Sequence, residues 1–324
     1  MTVVPTPTPR ISPRRSLAAA VLAGALHGPA EALPVSSSAH VAFVARLAAG
    51  RRGRRPSDPE VAKSVEVGAH AGTLLGLTIG LRREAVKAAR GVVREPRLAA
   101  TTALKIVAAS APAVVGALTL ERQIERHLGG DRTIALGLVA GSAAMVLADA
   151  LAPGGALDRR DGWTAATHET PGDAARGDAE SAGGRGPGRP WEDGTFADAL
   201  LIGTAQAAAL WPGVSRSGAV LVAARARGFS REASGKISAA LAVPAVGGAT
   251  ALKVVRLGVR LRDGTIETRH LTPLAAVTTT GALSGVVAAP MARRTLEGLP
   301  LWPFAGYRVL LAGALAAADC HWRR

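Results

Sequence analysis

The chain has 324 residues, of which 48% are hydrophobic and only 3% aromatic, enough apolar material for one large core or for several membrane spans. Its net charge of +15 sits in the gaps between apolar blocks with no interleaved aromatic residues, a distribution that argues against nucleic-acid binding and for anchored membrane loops. The single cysteine, Cys320, excludes an internal disulfide and a cysteine-based metal site.

At the N-terminus, Arg10, Arg14 and Arg15 precede an apolar run at 17–26 that imitates a secretory signal. Cleavage at the following Ala-Glu-Ala would remove the most polar part of the run, so the sequence predicts an uncleaved first membrane segment. The stretch 17–49 is interrupted by Pro, Gly and Ser, which predicts a broken or re-entrant helix. Apolar blocks at 65–81, 98–120, 133–152, 237–259, 271–290 and 304–319 are each about the length needed to cross ~30 Å of hydrocarbon as a helix. A second interrupted stretch, 197–224, matches the first. Arginine-rich gaps at 46–56 and 81–97 predict cytoplasmic loops. The alternative, a soluble helical bundle, needs polar stripes at helical period, and 133–148 has almost none.

Residues 153–194 carry eight acids and five arginines among many Gly and Pro residues, too polar to fold alone. They predict a flexible linker between a first membrane half, 1–152, and a second, 195–324. The halves echo each other. "VSSSA" at 35–39 answers "VSRSG" at 214–218, each closely preceded by a proline, Pro34 or Pro212. Eight residues before each valine stand His27 and Gln206, and "PAVVGA" at 112–117 returns as "PAVGGA" at 244–249. The predicted fold is therefore all-α and polytopic, with two inverted repeats that each contribute a broken helix pair.

Interrupted hydrophobic segments at matching positions of two halves point to a binding site at the repeat interface. A helix that starts inside the membrane exposes backbone N–H groups that bind anions. Pro34 and Pro212 suit a first helical position, with Ser36, Ser37 and Ser38, or Ser215 and Ser217, crowning the first turn. Arg216 offers a planar fork suited to phosphate. His40, three residues after Ser37, shares its helical face and could take the serine proton or act on phosphate directly. Glu31 is costly in a membrane unless it orients His40, pairs with Arg216 or ligates a divalent cation.

"HGPAEALPVSSSAH" at 27–40 and "GTAQAAALWPGVSRSGAV" at 203–220 resemble the two signature segments of the undecaprenyl-diphosphate phosphatase family, the bacitracin-resistance type of bacterial membrane protein. "VEVGAHAGTLLGL", "APAVVGALTLERQIERHL", "SREASGKISAALAVPAVGGA" and "FAGYRVLLAGALA" resemble the intervening segments in the same order. The resemblance implies hydrolysis of the polyprenyl diphosphate lipid carrier to its monophosphate, recycling it for peptidoglycan synthesis and opposing bacitracin. It also implies a multi-pass protein of the cytoplasmic membrane with a site open to the outer face; a homodimer is a separate expectation, and the charge pattern predicts no nucleic-acid partner. Glu31, Ser37, His40 and Arg216 fall on its catalytic positions; His27, Ser36, Ser38, Ser215 and Ser217 fall among those that bind substrate. Mg2+ or Ca2+ at Glu31 is the implied cofactor. Three positions depart from the family pattern: His27 replaces Glu or Gln, His70 replaces Gln, and Val220 replaces Thr. Two rival readings stand beside it: a transporter that flips the lipid carrier, resting on the same broken helices, and a weakly active paralogue of the phosphatase, motivated by His27.

Overall fold

The computed structural model describes residues 13–49, 59–152, 188–264 and 271–323. Among these there is no strand, and the elements are helices throughout. In chain order they are α1 (Pro13–Ala32), α2 (Ser37–Ala49), α3 (Pro59–Gly80), α4 (Arg82–Arg94), α5 (Pro96–Leu128) and α6 (Asp131–Leu151) in the first half. The second half holds α7 (Phe196–Ala207), α8 (Arg216–Ala226), α9 (Arg231–Ala242), α10 (Gly248–Arg262), α11 (Leu271–Glu297) and α12 (Trp302–Arg323).

Both interrupted stretches fold as helix, break, helix: α1 and α2 around residues 33–36, α7 and α8 around 208–215. The block at 237–259 is one helical run, with a π-helical segment, Val243–Gly247, at Pro244 where the proline cannot supply a ladder donor. Among the described residues, four helical runs are long and apolar enough to span a membrane: Pro96–Leu120, Asp131–Leu151, Arg231–Arg260 and Leu271–Glu297. The blocks at 65–81 and 304–319 also form helices, α3 and α12, of 22 residues each. They fall short of that apolarity because α3 carries Glu66 and His70 and α12 carries Arg308. The predicted loop at 81–97 contains a helix, α4, that buries no residue and is held to α11 by an ion pair from Arg293 to Glu84 at 2.6 Å.

The sequence places small residues where helices cross. Gly28 and Ser284 bring α1 against α11: Ser284 Oγ donates to the Ala25 carbonyl at 2.6 Å and accepts from Gly28 N at 3.0 Å. Ala20, Ala23, Val44, Ala69 and Val277 form the core of this α1/α2/α3/α11 unit. Ile202, Val220, Phe229, Ile237 and Leu241 knit α7, α8 and α9. Leu138, Leu311 and Leu315 join α6 to α12, against Ala39 of α2. Large apolar side chains also face outward; Leu118, Val287 and Leu310 are 74%, 73% and 75% exposed. Leucine and valine on the rim of a helical bundle whose buried positions include charged and polar side chains suit a lipid surround.

The expected linker lies mostly outside the described residues. Its last part, 188–194, is folded: Arg189 N donates to the Gly228 carbonyl at 2.8 Å and Ser230 N to the Arg189 carbonyl at 3.0 Å. Trp191 rests on Phe229, with centroids 5.9 Å apart, and Arg189 and Arg227 both bind Asp198 in the first turn of α7. An aromatic anchor and a shared carboxylate give this short segment contacts of the kind that Gly-rich, polar sequence cannot supply.

Candidate active site

The first break begins where Leu33 N closes the last turn of α1 on the Pro29 carbonyl, at 3.0 Å, and the chain reverses through Pro34 and Val35. Ser36 has φ +72°, a left-handed conformation that costs a residue with a Cβ on the order of 1–3 kcal/mol and persists where surrounding bonds determine it. Here its carbonyl accepts from His40 Nδ1 at 2.8 Å, and its hydroxyl lies 3.1 Å from that of Ser38. The second break also has a left-handed residue, here just before its valine: Gly213 takes φ +99°, and a Cβ there would collide with the Ile134 carbonyl oxygen. Ser215 then caps α8, its hydroxyl accepting from Gly218 N at 3.2 Å and lying 3.1 Å from the Ser217 hydroxyl. The expectation that Pro34 and Pro212 open the helices is corrected. Both prolines lie in the breaks, and the second helix is capped by a serine, whose oxygen can satisfy the free N–H groups that a proline cannot.

A direct bond joins the two breaks. Arg216, the first residue of α8, donates from Nη2 to Glu31 Oε1 at 3.4 Å, and from Nη1 to the Ser238 carbonyl of α9 at 3.1 Å. Ser37 donates to the other oxygen of Glu31, Oε2, at 2.8 Å. Glu31 therefore orients the serine and the arginine at once, and Arg216 Nε remains buried without a partner. Glu31, Ser37 and Arg216 come together, and the pairing of Glu31 with Arg216 is among those the sequence predicts.

His40 does not join them. Since a carbonyl only accepts, the bond to Ser36 O fixes the imidazole proton on Nδ1, and Nε2 accepts the Tyr307 hydroxyl at 2.7 Å. The Tyr307 ring stacks on the imidazole at 5.7 Å. The helical spacing of Ser37 and His40 suggests a serine–histidine bond, and neither it nor a Glu31–His40 bond is made. Ser37 is the first residue of α2 and turns to Glu31, whereas His40 turns to α12.

His27 is 1% exposed, one turn before Glu31. Its Nδ1 lies 3.0 Å from the Thr73 hydroxyl and its ring edge meets His70, with centroids 4.4 Å apart. One ligand atom from each of His27, Glu31 and His70 lies within 4.8 Å of the others, a group able to hold a cation. Gln206, the counterpart of His27 in the second half, is also buried, and both its side-chain polar atoms lack partners.

Two site residues lie in the segment "FAGYRVLLAGALA" but are not among the candidates that the sequence singles out. Tyr307 is the chain's only tyrosine, and Arg308 interrupts an apolar block. Arg308 is 0% exposed and donates to the carbonyls of Pro34, Gly137, Leu138 and Gly213 and to the Ser142 hydroxyl, at 3.1–3.4 Å. A charge inside an otherwise apolar block is the signal that could have found it.

Fold and site together define a class: an all-helical membrane protein whose polar centre, an arginine, a glutamate and two serine pairs, lies between two helix breaks. The chain belongs to the family described as bacitracin resistance protein BacA, matched over residues 20–314, and is a multi-pass membrane protein. It is similar to the undecaprenyl-diphosphatase of Geobacter sulfurreducens, 36% identical over 306 residues that cover 92% of this chain and 96% of that protein. The undecaprenyl-diphosphatases of Geobacter metallireducens and Sorangium cellulosum are each 32% identical, covering 91% of this chain and 95% and 84% of their own lengths.

Proposed function

We propose that this chain hydrolyses undecaprenyl diphosphate to the monophosphate and inorganic phosphate, returning the lipid carrier to cell-wall synthesis and opposing bacitracin. The observation that carries this reading is the Arg216–Glu31 bond between the two serine-lined breaks. It sets a cationic fork among hydroxyl groups at the start of a helix, the elements that bind a diphosphate.

Phosphoryl transfer passes through a loose transition state, so catalysis depends on positioning and charge neutralisation more than on a strong base. Arg216 binds the non-bridging oxygens as charge develops on them. Ser37, held by Glu31, presents its oxygen to the terminal phosphorus; as that P–O bond forms, the bond to the bridging oxygen breaks and the lipid monophosphate leaves. The serine proton passes to Glu31; water then attacks the phosphoserine, its O–P bond forming as the Ser37 O–P bond breaks, a water proton going to the released phosphate and Ser37 recovering its own proton from Glu31. His40, held by Tyr307 at Nε2, acts as a positioning residue: its Nδ1–H binds the Ser36 carbonyl and so fixes the turn that presents Ser37. The serine pairs Ser36/Ser38 and Ser215/Ser217 hold the remaining phosphate oxygens. A divalent cation held at Glu31, when bound, supplies further neutralisation of the diphosphate.

The matched serine pairs support an inverted pair of repeats with two re-entrant helices, and the site opens to the outer face of the cytoplasmic membrane. The testing experiment is phosphate release from long-chain polyprenyl diphosphate by the protein purified in detergent. Turnover by the wild type and its loss in Arg216→Ala are expected. A wild type that releases no phosphate overturns the enzyme, since hydrolysis, unlike lipid flipping, needs no bilayer.

A further inference from the structure

The geometry points to a metal centre of two histidines and one carboxylate, formed by His27, His70 and Glu31, that selects an imidazole-binding transition ion such as Zn2+ over Mg2+ or Ca2+. Each histidine has its tautomer fixed from behind. His70 Nδ1 lies 2.9 Å from the Glu66 carbonyl, which only accepts, so the proton is on Nδ1 and the lone pair on Nε2. The Thr73 hydroxyl sits 3.4 Å from the Gly281 carbonyl and donates to it, which leaves its oxygen to accept from His27 Nδ1–H at 3.0 Å. The His27 lone pair is therefore also on Nε2, and that atom is buried with no hydrogen-bond partner.

One ring nitrogen of each imidazole and one Glu31 oxygen lie within 4.8 Å of one another; the Arg216 guanidinium meets the carboxylate, and a cation would join the two imidazoles to it. A backbone carbonyl or hydroxyl behind each ligating histidine is the arrangement that orients imidazoles for a metal. Glu31 keeps lone pairs for the ion because each of its oxygens has one protein partner, Arg216 or Ser37. The donor set decides the ion. Mg2+ and Ca2+ take oxygen ligands, whereas two imidazoles and one carboxylate suit Zn2+, Co2+ and similar ions. The purpose of the metal rests on the proposed phosphatase reading, whereas the site itself follows from the three side chains.

The test is metal retention by the full chain, purified in detergent with a histidine-free tag, stripped with chelator and reloaded separately with Zn2+, Co2+, Mg2+ or Ca2+. One equivalent of Zn2+ or Co2+ retained after gel filtration is expected, with cobalt absorption bands of nitrogen–oxygen coordination, and no retained Mg2+ or Ca2+. His27→Gln and His70→Gln each weaken Co2+ binding by about 10-fold or more, and Thr73→Val, which removes only the group behind His27, weakens it in the same direction. His127→Gln, at an exposed histidine of α5, leaves binding unchanged. Thermal melting of each variant identifies any that fails to fold, and the Thr73 variant then carries the test. No retained Zn2+ or Co2+ in the wild type, or unchanged Co2+ binding in folded His27 and His70 variants, overturns the centre even if phosphate is released. Metal retention without phosphate release supports the centre and counts against the phosphatase reading instead.

Discussion

Arg308 and Gly213 meet across the molecule: the guanidinium of α12 donates from Nη2 to the Gly213 carbonyl at 3.1 Å and from Nη1 to the Pro34 carbonyl at 3.4 Å. One buried side chain thus ties both helix breaks, whose carbonyls have left their helical ladders. Removing it leaves those acceptors unsatisfied at about 1–3 kcal/mol each. Arg308→Met is expected to lower the melting temperature in detergent sharply. Arg308→Lys rescues little, because a point charge cannot reach the spread of acceptors that a planar fork serves. A melting curve matching the wild type would remove Arg308 from this role.

Gly213 has a second demand on it. A side chain there meets both a left-handed backbone and the Ile134 carbonyl oxygen. Gly213→Ala is expected to destabilise by about 1–3 kcal/mol and to slacken the α8 start, so phosphate release falls with thermal stability. Loss of neither would show that the break tolerates another conformation.

The Arg216–Glu31 bond predicts non-additive kinetics. Arg216→Ala is expected to cost on the order of 10²-fold or more in turnover, as removal of a group that meets charge formed in the transition state does. Glu31→Gln also lowers the rate. In a double-mutant cycle, the pair together should lose much less than the product of the two single losses, because each side chain positions the other. Strict additivity in phosphate-release rates counts against the coupling.

Outside the spans, Glu84 predicts a pH effect. Its own backbone N–H holds the carboxyl below the usual carboxylate range; slight desolvation acts the other way, and the Arg293 guanidinium adds to the lowering. A carboxyl depressed in the folded state contributes stability that is present above its unfolded value and is lost as pH falls through the folded one. Amide hydrogen exchange in α4 should therefore quicken on acidification through that window, and Arg293→Ala should shift the onset to higher pH. Exchange independent of pH, after correction for its intrinsic rate, would dissociate α4 from this pair.

Much of the chemistry is legible in the chain. Glu31, Ser37 and Arg216 announce themselves as polar groups in apolar stretches, and the two "VS-S" motifs mark both breaks. Their partners are not legible. Helical spacing pairs Ser37 with His40, but the serine begins its helix, where the break lets it swing to Glu31, while His40 one turn on faces α12 and Tyr307. Proline fits a first helical turn and so points to a helix opener. In the folded chain the Ser215 hydroxyl caps α8, and the prolines turn the breaks.

Helicity, membrane residence and the points at which long helices are interrupted are written in the chain, because apolar block length and Pro, Gly and Ser interruptions are local properties. Which polar groups share a site is settled by packing alone. Arg216 lies 185 residues from Glu31, and His70 stands 43 positions after His27, the difference between their numbers in the chain. No periodicity reaches across such distances. Contact between helices brings these groups together, through small residues such as Gly28 and Ser284 that let α1 and α11 close on each other.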